Sequence, residues 1–84
     1  MNASPPVAWD AETVRAELLR IAVDQLGWTG LPDGDLADRL DSVDRLALVV
    51  AIEDRFLVAF EPEDDASART VDDVVRVVLA RLSG

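Results

Sequence analysis

The chain has 84 residues and a formal net charge of −9, and it contains no cysteine, histidine, lysine or tyrosine. This length makes one domain with a modest core, and the missing residue types exclude disulfides, thiolate metal sites, the commonest general base, the thiol nucleophile and the Schiff-base amine. The acidic balance disfavours nucleic acid and anionic membranes as partners and favours basic protein surfaces, although solubility alone also explains it. We therefore do not expect an enzyme.

Residues 1–9 are predicted to form a flexible leader because Pro5-Pro6 blocks regular structure. The leader has no basic start and no apolar centre, so a signal peptide is not expected. The longest uncharged apolar run, 46–52, is far shorter than the ~20 residues that span a bilayer. A cytoplasmic protein with one domain over residues 10–84 is the expectation.

The first predicted helix ends at about Leu26, between Asp10 as a favourable N-cap and Gly27 as a C-terminal stop. Its helical spacing predicts an inward face of Val14, Leu18, Ile21, Ala22, Gln25 and Leu26. Residues 27–41 then form a long connection with a short helical turn at 36–40. The side chains expected to pin this connection to the helices are Trp28, Leu31, Leu36 and Leu40.

The second predicted helix, from about Ser42 to Phe56, is apolar on nearly every side. A domain of this size needs only one apolar stripe against its core. The predicted core face carries Leu48, Ile52 and Phe56. The opposite face carries Val43, Leu46, Ala47, Val50 and Asp54. We interpret this second stripe as a docking surface.

A short third helix is predicted over about 62–68, because Pro62 suits a first helical turn. Thr70 is the predicted N-cap of the last helix, which runs to about Leu82. Its predicted inward residues are Val71, Val74, Val75, Val78 and Leu82. The predicted fold is therefore all-α, a small antiparallel bundle of three longer helices and one short helix.

The sequence allows two interpretations of Ser42. A serine at a helix start commonly caps exposed backbone N–H groups, and this explains most such serines. Alternatively, a phosphate attached through Ser42 would meet free N–H groups and the positive end of the helix dipole. No ordinary catalytic triad can form around Ser42, because histidine is absent.

The acidic loop before this helix carries several carboxylates but does not match a calcium-binding pattern. Counted from Asp33, the sixth position of the helix–loop–helix calcium pattern is Asp38 rather than glycine, and the twelfth is Asp44 rather than glutamate. We therefore expect a solvated acidic loop and no metal.

The segment Asp41-Ser42-Val43 resembles the signature of the acyl carrier and peptidyl carrier protein family, which usually has Asp-Ser-Leu. Other residues at the family's spacing are Asp44, Leu46, Leu48 to Phe56 with Glu53, Pro62 and Thr70-Val71. The resemblance covers about residues 10–82. It implies a four-helix bundle with 4′-phosphopantetheine attached to Ser42, beside Asp41, by a phosphopantetheinyl transferase that uses coenzyme A. The arm would hold acyl or aminoacyl groups as thioesters.

The resemblance also implies a monomer with several partner enzymes: the transferase, an acyl- or aminoacyl-ligase, and a ketosynthase or condensation-type enzyme. Weak, charge-steered docking would let these enzymes take turns. The residues expected to bind them are Val43, Asp44, Leu46, Ala47, Val50, Glu53 and Asp54.

The chain departs from the family's usual pattern on both sides of the signature. Arg39-Leu40 replaces the Gly-Ala of fatty-acid carriers or the Gly-Gly of peptidyl carriers. Leu40-Asp41-Ser42 resembles stand-alone aminoacyl carriers and discrete carriers of specialised metabolism, while Arg45 and Ala47 make the helix start less acidic. A dedicated carrier in a secondary pathway is the favoured hypothesis. The alternative is an unmodified helical adaptor that binds one protein partner, with Ser42 serving only as a cap.

Overall fold

The computed structural model describes residues 9–83, and every regular element in that range is helical. The elements are α1 (Ala11–Leu26), a 3₁₀ turn (Leu36–Asp38), α2 (Ser42–Phe56), α3 (Pro62–Ser67) and α4 (Val71–Ser83). The predicted all-α four-helix bundle is confirmed. The predicted leader lies outside the described residues, except for Trp9, whose ring packs edge-on against Phe56.

The ends of α1 are set by local hydrogen bonds, as the sequence predicted. Asp10 Oδ1 accepts the Thr13 N–H at 2.8 Å, and the Thr13 hydroxyl accepts the Asp10 N–H at 2.9 Å. The bond from the Thr13 N–H holds the pKa of Asp10 below its usual value. At the other end, Gly27 has a φ of 69°, the left-handed conformation that glycine adopts without strain.

The core lies where α1 packs against α2 and α4. Its buried side chains are Val14, Leu18, Ile21, Leu36, Leu40, Leu48, Ile52, Phe56, Ala68, Val71, Val74, Val75 and Val78. Leu26 and Leu82 pack against its edge and are half-buried. The prediction that Gln25 faces inward is wrong: Gln25 is exposed, because the last turn of α1 borders an open groove rather than the core.

The long connection between α1 and α2 is held by the side chains predicted to pin it. Leu36 and Leu40 are buried, and Trp28 and Leu31 are half-buried against the core. The Leu36 N–H also donates to the Arg69 carbonyl at 2.8 Å, which ties the connection to the segment before α4. The packed connection therefore fixes the position of the first residues of α2 relative to the core.

The last helix begins as predicted. The Thr70 hydroxyl accepts the Asp73 N–H at 3.2 Å, and the Asp73 carboxylate accepts the Thr70 N–H at 3.2 Å and the Arg69 N–H at 3.1 Å. The bond from Arg69 is the main reason why the pKa of Asp73 is lowered. Among residues 9–83, none of the helices combines the length and apolar character required to cross a bilayer.

The short helix α3 is joined to its neighbours by two arginines. Arg45 of α2 donates from Nη2 to the carbonyls of Asp65 and Ala68, at 2.8 and 3.1 Å, and from Nε to the Asp65 carboxylate at 3.2 Å. Arg81 of α4 pairs with Asp64. The sequence suggested only that Arg45 lowers the acidity of the helix start, whereas the structure gives it a packing role.

Replacing Leu48 or Phe56 with alanine should lower the free energy of unfolding by about 2–5 kcal/mol, because each truncation leaves a cavity in the core. Denaturant melts followed by circular dichroism measure this loss. Val43→Ala is the control, since Val43 is 74% exposed and the change should stay within about 0.5 kcal/mol. A Leu48→Ala melt that superimposes on the parent curve would contradict the assigned core face.

Candidate functional site

The start of α2 is capped by Asp41 rather than by Ser42. Asp41 has extended backbone angles, and its Oδ1 accepts the Asp44 N–H at 2.8 Å. This is the N-cap arrangement, and it places Ser42 at the first helical position. The interpretation of Ser42 as a capping serine is therefore wrong, because its neighbour already binds the N–H group that a cap serves.

The Ser42 hydroxyl is accessible. The residue is exposed, and within residues 9–83 its hydroxyl makes no hydrogen bond. It also lies at the end of α2 where the helix dipole is positive and unpaired N–H groups favour an anion. An enzyme could reach this oxygen without unfolding the helix, and a phosphate attached there would meet a favourable field.

Backbone hydrogen bonds on both sides of Ser42 fix the position of this residue. On one side, Leu40 is buried and its N–H donates to the Leu36 carbonyl at 2.9 Å. On the other, the Arg45 N–H donates to the Asp41 carbonyl at 2.9 Å and begins the helical ladder. The exposed hydroxyl thus stands on a short, rigid stretch of backbone.

The two faces predicted for α2 are both present in the structure. Leu48, Ile52 and Phe56 are buried. On the opposite face, Val43, Leu46 and Val50 are 74%, 63% and 53% exposed, and Ala47 and Asp54 are exposed as well. We name Val43, Leu46, Ala47 and Val50 the α2 apolar strip; it begins one residue after Ser42.

The α2 apolar strip forms one wall of a shallow groove of about 800 Å³. The last turns of α1 form the other wall, with Ile21, Asp24 and Gln25. Sequence reasoning missed this contribution of α1. No local pattern signals it, because Ile21 and Gln25 fit the inward spacing of α1 and only the position of α2 places them at the groove.

Glu53 and Asp44 lie differently from the rest of the predicted partner-binding set. The Glu53 carboxylate accepts the Phe60 N–H at 2.7 Å, so it holds the link after α2. It is half-buried and does not line the groove. Asp44 is exposed beside Ser42, and its N–H is the group that Asp41 caps. Asp54 does lie on the groove wall.

The acidic loop is organised by its own hydrogen bonds. The Asp35 carboxylate accepts the Ala37 N–H at 2.9 Å and lies 3.7 Å from Arg69. Over residues 9–83, no three acidic side chains gather closely enough to hold a metal ion.

Three comparisons with known proteins agree with this geometry. The family model described as the phosphopantetheine attachment site matches residues 12–78. Acyl carrier protein 3 of Ralstonia nicotianae is 42% identical over 43 residues, a match that covers 51% of this chain and 49% of that protein. The chain thus spans about half the length of this curated relative. The crystal structure of an acyl carrier protein from Thermotoga maritima has a TM-score of 0.73 at 26% identity, covering 87% of this chain and 91% of that chain.

Asp41→Ala should lower the free energy of unfolding by about 1 kcal/mol, because α2 loses its cap, whereas Asp41→Asn should preserve most of it. Ser42→Ala should leave stability within about 0.5 kcal/mol of the parent, because the hydroxyl holds nothing in place. Denaturant melts of the three variants make the comparison. A loss in Ser42→Ala that equals the loss in Asp41→Ala would show that the serine does cap the helix.

Proposed function

Since this chain belongs to the acyl carrier protein family, whose members bear a covalently attached 4′-phosphopantetheine arm, we propose that Ser42 is the attachment residue and that the protein carries acyl or aminoacyl groups. The observation that supports Ser42 is its exposed, unbonded hydroxyl at the first position of α2, with Asp41 supplying the cap. Proteins of this family are carriers and not enzymes.

Ser42 would act as a nucleophile only within another enzyme's active site. Its Oγ forms a bond to phosphorus as the pyrophosphate of coenzyme A breaks; adenosine 3′,5′-bisphosphate leaves, and the hydroxyl proton passes to a base. The chain has no histidine, lysine or cysteine, and the Asp41 carboxylate already caps α2, so we assign that base to the phosphopantetheinyl transferase. Once attached, the arm supplies a thiol that holds the cargo as a thioester.

The α2 apolar strip is the proposed docking surface for the partner enzymes. It is exposed next to Ser42 and flanked by Asp24, Asp44 and Asp54. A partner with apolar side chains ringed by arginine or lysine would complement this surface, and long-range attraction to the net charge of −9 would speed the encounter. We propose that the transferase, an acyl- or aminoacyl-ligase, and a ketosynthase or condensation-type enzyme bind here in turn.

We further propose a discrete carrier of a specialised pathway, acting as a monomer in the cytoplasm. The support is the replacement of the usual residues around the signature by Arg39, Arg45 and Ala47. The Arg45 side chain is hydrogen-bonded to α3. The start of α2 therefore presents fewer negative charges to a partner than it does in carriers with an acidic residue at this position. Such a surface would select its own set of partners.

Incubation with coenzyme A and a broad-specificity transferase should raise the intact mass by one phosphopantetheine group. Ser42→Ala should show no increase, while Ser67→Ala, which removes another exposed serine, should be modified like the parent. An unchanged mass of the folded parent chain would reject the carrier function. A stable, salt-insensitive complex of the unmodified protein with one partner would then favour the adaptor.

Val50→Asp and Val43→Asp should each lower kcat/KM of the transferase by on the order of tenfold, about 1.4 kcal/mol, because a charge enters the apolar contact. Thermal melts of both variants should match the parent, since both side chains are exposed. Leu57→Asp is the matched control: it adds the same charge at a residue that is 87% exposed and lies outside the strip. Lost helicity in Val50→Asp would show that the exposed face is wrongly assigned.

A further inference from the structure

Arg39 differs from most of the arginines in this acidic chain. Six of the eight arginines pair with a carboxylate within residues 9–83, and the two that do not are Arg20 and Arg39. Arg39 stands three residues before Ser42, in a loop that also carries Asp35, Asp38 and Asp41. Within residues 9–83, its guanidinium forms no ion pair with these neighbouring carboxylates.

The guanidinium lies instead against an indole ring. The Arg39 Cζ is 5.5 Å from the centroid of the Trp28 ring, within the range of a cation–π contact. Both partners are held by backbone bonds: the Trp28 N–H donates to the Ala22 carbonyl at 3.3 Å, and the Arg39 N–H donates to the Leu36 carbonyl at 3.0 Å. The contact leaves the edge of the guanidinium, with its N–H donors, open to a further acceptor.

Arg45 provides the comparison, because it stands three residues after Ser42. Its donors already bind three acceptors, namely the carboxylate of Asp65 and the carbonyls of Asp65 and Ala68. In residues 9–83 the Arg39 side chain binds no oxygen at all. Within that range, three of the five N–H donors of Arg45 are therefore used, whereas all five of Arg39 are left for an anion.

Two carboxylates beside Ser42 partly oppose the favourable field of the α2 N-terminus. Asp41 and Asp44 flank the serine and are both exposed, so a phosphodiester attached to Ser42 would add a third negative charge to this end of the helix. Three residues of chain span at most about 10 Å, which an arginine side chain and a serine-linked phosphate can bridge together. A charge-assisted hydrogen bond would offset the repulsion.

We propose that Arg39, resting on Trp28, hydrogen-bonds the phosphodiester that joins the phosphopantetheine arm to Ser42. This inference rests on the proposed function, and it makes Arg39 a positioning residue for the arm. The bond directs the first atoms of the arm toward the Trp28 side of the α2 N-terminus. It would also explain why arginine stands at position 39, where the family usually has glycine.

The test uses the modified protein in a Trp9→Phe background, so that Trp28 is the one tryptophan that emits. Intact mass first establishes complete modification. The ³¹P chemical shift of the phosphodiester and the change in Trp28 fluorescence on modification are then compared for the parent, Arg39→Gln, Arg39→Lys and Arg20→Gln. Arg20→Gln is the matched control, since Arg20 also lacks a carboxylate partner in residues 9–83.

We expect modification to change Trp28 emission in the parent and in Arg20→Gln, and to leave it unchanged in Arg39→Gln. The ³¹P shift of Arg39→Gln should differ from that of the parent at low salt, and the difference should shrink as salt screens the pair. Arg39→Lys keeps the positive charge but lacks the planar guanidinium. Its ³¹P shift and its emission change should therefore lie between those of the parent and those of Arg39→Gln. Complete modification with the same ³¹P shift and the same emission change in Arg39→Gln and the parent overturns this inference alone, whereas no mass increase in the parent overturns the carrier function.

Discussion

The hydrogen bond from the Asp44 N–H to the Asp41 carboxylate is the interaction on which the site depends. A helix start needs an acceptor for its first N–H groups, and a serine there would ordinarily supply one. Because Asp41 does so one residue earlier, the Ser42 hydroxyl is left unbonded and exposed. The same bond fixes where α2 begins, at the residue that bears the exposed hydroxyl.

The two faces of α2 differ sharply in exposure. Its buried face, with Leu48, Ile52 and Phe56, joins α1 and α4 in the core, while the α2 apolar strip faces solvent. Exposed valine and leucine side chains gain little free energy from burial on folding. A domain this small has few apolar residues, and those on the surface are not available for its core. Their concentration on one side, directly after Ser42, is the observation that supports the proposed docking surface.

Local signals made much of the fold predictable. Asp10, Gly27 and Thr70 act at helix ends through neighbouring backbone groups, so short sequence patterns were enough to place those ends. The spacing of apolar residues likewise separated the two faces of α2. Gln25 was misplaced because burial at the end of α1 depends on where α2 lies, which no local pattern contains. The contacts of Arg45 with α3 and of Arg39 with Trp28 were unpredictable for the same reason.

The link between α2 and α3 has a consequence for how the molecule responds to salt. Two of the three acceptors that Arg45 binds are main-chain carbonyls, which carry no net charge. Salt screens the attraction between exposed charges. It would therefore weaken the bond to the Asp65 carboxylate more than the bonds to the two carbonyls. The short helix remains joined to the helix that bears Ser42 at ionic strengths that weaken the surface ion pairs of this acidic chain.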